Sequence, residues 1–323
     1  MKKKVIALVL AAVMALSLVA CGSKAPSEST DDAKYVVGIC QIAQHEALDA
    51  ATKGFEDALN EALPGQVEFL EKNASGDPAT CTTIVNGFVG QVDLILANAT
   101  APLQAAAAAT ADIPILGTSI TDYASALEIA DWNGTVGGNI SGTSDLAPLD
   151  QQADMVKEWF PDAKNVGLLY CSAEANSQYQ VDTISALLKD MGYTCTPFPF
   201  TDTNDVASVT QKACDASDVI YIPTDNTAAS NTESIANVVL AAKTPVIAGE
   251  SGLCKGCGVA TLSISYYDLG YTTGQMAAKI LTGEADISTM PLAYAPEVVK
   301  MVQTSNCAAL GLTAPEGYTA IEE

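Results

Sequence analysis

Short apolar runs alternate with longer amphipathic stretches along the chain from residue 35 onward. Turn residues bound each apolar run, and the stretches between them have the length and periodicity of helices. This alternation is typical of βαβ units and predicts mostly parallel sheets. The predicted strands are residues 35–42, 67–71, 94–97 and 114–118, and then 165–170, 194–198, 219–222 and 245–248.

The two sets of predicted strands resemble each other in sequence and in order. Residues 36–40 match 165–169, residues 92–96 match 217–221, and residues 113–117 match 244–248. Because the order is kept and the spacings are comparable, each half predicts one small doubly wound α/β lobe. The chain is therefore predicted to contain two such lobes in series.

Further elements follow the second half: a strand at 258–264, a helix at 267–282 and a last strand at 298–304. Two doubly wound parallel-sheet lobes with such additions have the outline of a type I periplasmic-binding-protein fold, joined by a three-strand hinge. We expect the three crossings near residues 141–145, 251–258 and 289–296. The first lobe would then comprise 35–142 plus 258–290, and the second lobe 143–257 plus 291–323.

The N-terminus has the pattern of an export signal. Three lysines at positions 2–4 precede the uncharged apolar run 5–20, which is short for a membrane span. The end of that run, LVAC, resembles the bacterial lipobox, in which a cysteine, here Cys21, receives a diacylglyceryl group. We predict a lipoprotein signal peptide at 1–20, a flexible stalk at 21–34, and an anchor on the extracytoplasmic face of the cell membrane. The alternative is a cleaved signal with an incidental cysteine.

Composition narrows the classes of function. The formal net charge of −23 argues against nucleic-acid binding, and 49% hydrophobic residues indicate a globular chain. With a single histidine, no Gly-rich phosphate loop and no Gly-x-Ser-x-Gly elbow, the sequence predicts neither an enzyme nor a cofactor. Cys254 and Cys257 have metal-like spacing without a second pair, so we expect a turn with incidental or disulfide-bonded cysteines and no metal.

Polar loops follow the predicted strands where a doubly wound sheet binds its ligand. Thr100 is suited to start a helix, Asn176 follows another strand, and Asp225 a third. Free N–H groups at helix starts suit a ligand carboxylate, and Asp225 suits an ammonium group, which together predict a clamp for a zwitterion. The alternative is that these side chains only cap their own helices.

An ordered set of motifs closely resembles the ABC-transporter substrate-binding family associated with tryptophan and other aromatic amino acids. These motifs include residues 41–45, 93–96, 139–145, 174–177, 223–226 and 266–270, and the resemblance spans about residues 35–312. It implies a monomer that closes on a solute like a hinged clamp and delivers it to a permease and an ATPase. The site residues implied by the resemblance are Gln41, His45, Thr100, Thr121, Asp122, Ser144, Glu174, Asn176, Asp225, Asn226 and Asp268.

Two positions depart from the pattern of this family. Tyr123 stands where family members often have proline, and the Cys254–Cys257 segment is unusual. Aromatic side chains expected near the cleft are Tyr123, Trp132, Tyr170 and Tyr266, each of which could instead be core. The alternatives to aromatic amino-acid transport are a sensory receptor of the same fold and a different solute, another amino acid or a sugar.

Overall fold

The computed structural model describes residues 35–295 and 297–322, and it confirms the predicted two-lobed α/β architecture. The predicted signal peptide, the stalk and Cys21 lie outside the described residues. In chain order the first elements are β1 (Tyr35–Gln41), α1 (Glu46–Ala62), β2 (Val67–Asn73), α2 (Pro78–Phe88), β3 (Leu94–Asn98), α3 (Thr100–Ala109), β4 (Ile115–Ile120), α4 (Tyr123–Ala126) and β5 (Ile140–Ser144).

The chain continues into the second half with a similar alternation. These elements are α5 (Leu149–Trp159), β6 (Asn165–Cys171), α6 (Ala175–Asp190), β7 (Thr194–Phe200), α7 (Val206–Ala216), β8 (Val219–Ile222), α8 (Asn226–Ala229), α9 (Thr232–Ala242), β9 (Val246–Ala248), α10 (Ser251–Cys257) and β10 (Ala260–Ser263). The last elements are α11 (Tyr266–Leu281), a 3-10 turn (Ile287–Thr289), β11 (Ala293–Tyr294), β12 (Val299–Val302), α12 (Thr304–Leu310) and β13 (Thr319–Ala320).

Each lobe is built on one sheet. The first sheet has the order β11-β5-β4-β3-β1-β2, and its paired strands are parallel. The second has the order β13-β12-β10-β9-β8-β6-β7, in which only the β10–β12 pairing is antiparallel. The central strand β3 is fully buried, as expected for a parallel strand with helices on both faces.

The structure corrects the predicted second crossing. Residues 251–258 were expected to connect the lobes, but residues 251–257 form α10, and β10 still pairs with β9 and β12 in the second sheet. The chain crosses after β10, just before α11. Residues 258–263, predicted in the first lobe, therefore belong to the second. Strand β11 was predicted in the second lobe, but it pairs with β5 in the first sheet.

The predicted turn at Cys254 and Cys257 is also wrong. Glu250 accepts hydrogen bonds from the backbone N–H groups of Gly252 and Leu253, which starts a helix across this segment. Both cysteines are buried, and all eight cysteines of the described part are free thiols. Within the same residues, no helix is long and apolar enough to cross a membrane.

Candidate functional site

A cavity of about 650 Å³ lies between the lobes, at the carboxyl ends of both sheets. Its first-lobe wall comes from the loops after β1, β2 and β3, and its second-lobe wall from the loops after β6, β7 and β8. The lining residues are Ile42, Ala43, Gln44, Asn73, Ser75, Gly76, Asp77, Pro78, Thr100, Ala101, Gln104, Cys171, Ala173, Glu174, Ala175, Asn176, Thr201, Asp202, Thr203, Asn226, Thr227, Ser230 and Asn231. The volume is ordinary for a small-molecule site.

The start of α3 forms part of the first-lobe wall. Thr100 and Ala101, its first two residues, line the cavity, and the preceding Ala99 has no side chain that could cap the helix. Ala99 also has a φ of 96°, a strained conformation for a residue with a Cβ. Such strain concentrates at functional sites, and an uncapped helix start attracts an anion.

The second-lobe wall is organised around the carboxylate of Glu174. Its Oε1 accepts hydrogen bonds from the backbone N and Oγ1 of Thr227, at 2.8 and 2.7 Å. Its Oε2 accepts from the backbone N and Nδ2 of Asn226, at 3.0 and 2.7 Å, and from Asn176 Nδ2 at 3.1 Å. Five hydrogen bonds therefore fix this carboxylate and the start of α8 in one arrangement.

Asp225 lies directly behind that wall and does not line the cavity. Its carboxylate is buried and accepts hydrogen bonds from Ala228 N at 2.8 Å and Cys171 N at 2.6 Å. Burial, and then the charge of Glu174, raise the pKa of Asp225 to about 8. Asp225 therefore caps α8, as in the alternative left open by the sequence, and its contact with an ammonium group stays a prediction.

His45 lies where the two lobes meet beside the cavity. Its Nε2 is 3.2 Å from Asn226 Oδ1 of the second lobe, and burial lowers its pKa below the ordinary value. His45 was predicted to lie in the cleft. It lies between the lobes next to the large cavity but does not line that cavity.

Gln41 is buried beneath the loop after β1 and does not reach the cavity. Its Nε2 donates to Asp49 Oδ1 at 2.7 Å, and its Oε1 accepts from Thr52 Oγ1 at 2.7 Å. These bonds hold α1 against the first sheet. Both ends of its amide have partners within the first lobe, and its role in ligand binding stays a prediction.

Thr121 and Ser144 lie at the first crossing. Thr121 Oγ1 donates to Asp145 Oδ1 at 3.0 Å, and Ser144 Oγ donates to the carbonyl of Thr121 at 3.0 Å. Tyr266 OH, just after the second crossing, donates to Asp145 Oδ2 at 2.9 Å. These side chains tie two crossings together, so the structure assigns them to the hinge and not to the cavity wall.

Two further predicted site residues are also outside the wall. Asp122 caps α4, accepting a hydrogen bond from Ser125 N at 2.7 Å, and Asp268 is exposed in the first turn of α11. Of the predicted set, the structure brings four residues together at the cavity: Thr100, Glu174, Asn176 and Asn226.

None of the four aromatic candidates lines the cavity. Tyr123 and Tyr266 are buried, Tyr170 packs in the second-lobe core, and Trp132 lies at the surface. The described lining residues include no aromatic side chain; their apolar part consists of Ile42, Pro78 and several alanines. They also include Asp77, Glu174 and Asp202 but no lysine or arginine, so the wall has an acidic character.

The prediction missed the loops after β2 and β7, which contribute Ser75 to Pro78 and Thr201 to Thr203. Both loops stand at strand ends and are polar, the same signal that marked the loops after β3, β6 and β8. Polar residues at strand ends therefore mark all five of these loops.

Comparison with known proteins identifies the family. The family model described as ABC transporter substrate binding protein matches residues 36–320. The chain belongs to this family. A curated relative, the tyrosine-binding protein of Clostridioides difficile (strain R20291), is 33% identical over 322 residues, which cover 96% of this chain and 93% of the relative.

Two solved structures are similar to this substrate-binding protein. An ABC domain from Streptococcus pneumonia in complex with L-Trp is 31% identical, covers 88% of this chain and 99% of its own, and superposes with a TM-score of 0.83. A ligand-free, open substrate-binding protein from Clostridium difficile is 34% identical over 89% and 99% of the two chains, but its TM-score is 0.67. The chain therefore superposes better on the L-Trp complex than on the open structure.

Proposed function

We propose that this substrate-binding protein captures an aromatic amino acid, tyrosine, tryptophan or phenylalanine, in the interlobe cavity and delivers it to an ABC importer. The observation that carries the proposal is the cavity itself, which both lobes enclose with an uncapped helix start on one wall and carboxylates on the other. The names of a tyrosine-binding relative and of a structure containing L-Trp support the aromatic class.

The two walls suit the two charges of an amino acid. The start of α3 at Thr100 would receive the carboxylate, since backbone N–H groups and the helix dipole favour an anion there. The ammonium group would lie near the second-lobe carboxylates of Glu174 and Asp202. Ile42 and Pro78 would supply apolar contact for the ring, so recognition would rest on aliphatic packing and not on ring stacking.

A calorimetric screen tests the solute class directly. We expect protein lacking residues 1–21 to bind at least one of tyrosine, tryptophan and phenylalanine, and to be stabilised by about 2.7 kcal/mol at a hundredfold excess over its Kd. Other amino acids and sugars serve as comparison solutes. Binding of a sugar with no response to any amino acid would reject the proposal.

A cavity-filling pair of variants tests the location. Ala101 lines the cavity in the first turn of α3, whereas Ala108 is exposed near the end of the same helix. Ala101→Phe should reduce solute affinity at least about tenfold, the effect of losing about 1.4 kcal/mol of binding free energy. Ala108→Phe should bind as the unchanged protein does in calorimetry, and equal losses in both variants would place the solute elsewhere.

The anchoring and partners form a second part of the proposal. We infer that Cys21 is lipidated and holds a monomeric, non-catalytic receptor at the extracytoplasmic face, where it meets an ABC permease and its ATPase. Two acyl chains give stable attachment, whereas one chain exchanges. Labelling with a palmitate analogue should mark the protein, and Cys21→Ala should abolish the label; retained labelling would contradict the assignment of the site.

A further inference from the structure

The start of α1 reaches across the cleft beside the large cavity. His45 Nε2 lies 3.2 Å from Asn226 Oδ1, and the Glu46 carboxylate lies 3.4 Å from Lys255 Nζ. His45 and Glu46 belong to the first lobe, whereas Asn226 and Lys255 belong to the second. His45, Glu46 and Lys255 line a smaller crevice of about 290 Å³ between the lobes. Both contacts must break when the lobes separate.

The surroundings of Asn226 determine the protonation of His45. Asn226 Nδ2 donates to Glu174 Oε2 at 2.7 Å, so its Oδ1 faces His45 and can only accept a hydrogen bond. The Nε2 of His45 must therefore carry the hydrogen of this contact. His45 Nδ1 is buried and has no hydrogen-bond partner among the described residues. A proton on Nδ1 would add a charge and an unsatisfied donor at a buried position.

We propose that the His45–Asn226 contact is a latch that holds the closed lobes together and sets the rate of solute release, and that protonation of His45 opposes closure because closing buries the imidazole. This inference rests on the proposed function, because a latch controls release only if the cleft holds a solute. His45 acts here as a positioning residue, since it holds the second lobe and does not line the solute cavity.

The charged groups around His45 set the direction of the pH effect. Burial lowers the pKa of His45, and the hydrogen bond to Asn226 and the charges of Glu174 and Asp49 oppose that shift in part. Glu46, Glu250 and Lys255 line the smaller crevice together with His45. The hydrogen bonds of Glu250 lie within the second lobe, so they persist when the lobes open. In the open protein the imidazole regains water, so its pKa returns toward about 6.5.

Protonation of His45 and closure of the lobes oppose each other. Because the closed state has the lower pKa, closure is at full strength above about pH 6.5, where both states are neutral. Below that pH the open state binds a proton that the closed state does not. Solute affinity should therefore fall by up to about tenfold per pH unit until the pKa of the closed state is reached.

NMR of the imidazole tests the latch, because His45 is the only histidine of the chain. In untagged protein with solute bound, we expect the Nε2–H tautomer and a pKa below 6.5. With solute bound, Asn226→Ala should lower the pKa of His45 further, because it removes a hydrogen bond that raises this pKa. The opposite tautomer, or an unchanged pKa in Asn226→Ala, would overturn the latch.

Stopped-flow measurement of solute release provides the functional readout. At pH 7.5, His45→Ala should release solute about threefold to tenfold faster, the effect of losing one ordinary hydrogen bond. His45→Gln retains an N–H donor and cannot titrate, so it should release more slowly than His45→Ala and show little pH dependence between 5.5 and 7.5. Persistence of the full pH dependence in His45→Gln would also overturn the latch.

Lys255→Gln is the matched control in the same crevice. It removes the Glu46–Lys255 ion pair, in which Glu46 is largely exposed, and such pairs contribute little. Its release rate and pH dependence should equal those of the unchanged protein; if it also lost the pH dependence, the effect would not belong to His45. If no solute binds, the proposed function fails. The latch is then tested separately by titrating His45 in ligand-free protein with and without Asn226→Ala.

Discussion

The carboxylate of Asp225 accepts hydrogen bonds from backbone N–H groups of two separate chain segments. It accepts hydrogen bonds from Ala228 N at the start of α8 and from Cys171 N at the end of β6. Such a side chain connects the loop after β8 to the loop after β6, and both of these loops line the cavity. Its influence on the site therefore acts through the backbone that it holds.

Asp225→Ala should lower the free energy of unfolding by about 1–3 kcal/mol, because two buried N–H groups lose their acceptor. Chemical denaturation of purified protein measures this loss. Asp268→Ala is the control, since Asp268 is exposed in the first turn of α11 and its removal should cost less than about 1 kcal/mol. Equal, small losses in the two variants would show that Asp225 is not a structural cap.

At the scale of elements, α1 and α11 pack unusually close together. Glycines at the contact make this approach feasible: a Cβ on Gly270 would overlap the carbonyl oxygen of Ala51, and a Cβ on Gly54 would overlap that of Tyr267. These contacts join residues at opposite ends of the chain. The late helix α11 is thereby fixed to the first lobe, next to the second crossing.

Gly270→Ala should destabilise the protein by about 1–3 kcal/mol, because the added methyl group forces the two helices apart. Gly87→Ala is a matched control, since Gly87 also lies in a helix but a Cβ there meets no atom within 4 Å. That change should stabilise by about 0.4–1 kcal/mol. Thermal unfolding distinguishes the two, and stabilisation by both substitutions would contradict the close helix contact.

The periodicity of the chain predicted the strands well because burial on both faces leaves continuous apolar runs, as in β3. It failed at α10, where a Gly- and Cys-containing segment resembles a turn but is held helical by the cap at Glu250. It also could not separate Thr100, which reaches the cavity, from Thr121, which turns toward Asp145. Both are polar residues near strand ends, and only the packed structure distinguishes their directions.

For the whole molecule, three buried carboxyl groups influence the pH dependence of stability. Burial raises the pKa of Asp145 to about 6, of Glu250 to about 7 and of Asp225 to about 8. In the unfolded chain the same groups titrate near 4. The folded protein therefore binds more protons between about pH 4 and 8, and the stability contributed by these protons is lost as the pH rises through this window.

The melting temperature should accordingly be higher at pH 5 than at pH 8. The chain has a net charge of −23, and charge repulsion also affects the melting temperature. High salt screens this repulsion and so reduces its contribution. Glu250→Gln should flatten part of the dependence near pH 7, because the glutamine cannot ionise. A melting temperature that rises steadily from pH 5 to pH 8 would contradict the raised pKa values.

The three crossings also determine the order in which the lobes can be completed during synthesis. The first sheet receives its edge strand β11 only after β10 has been made for the second sheet. Neither lobe is a continuous stretch of chain, so a nascent protein emerging from its N-terminus cannot finish the first lobe early. The polypeptide therefore cannot complete its fold until almost all of it has been translated.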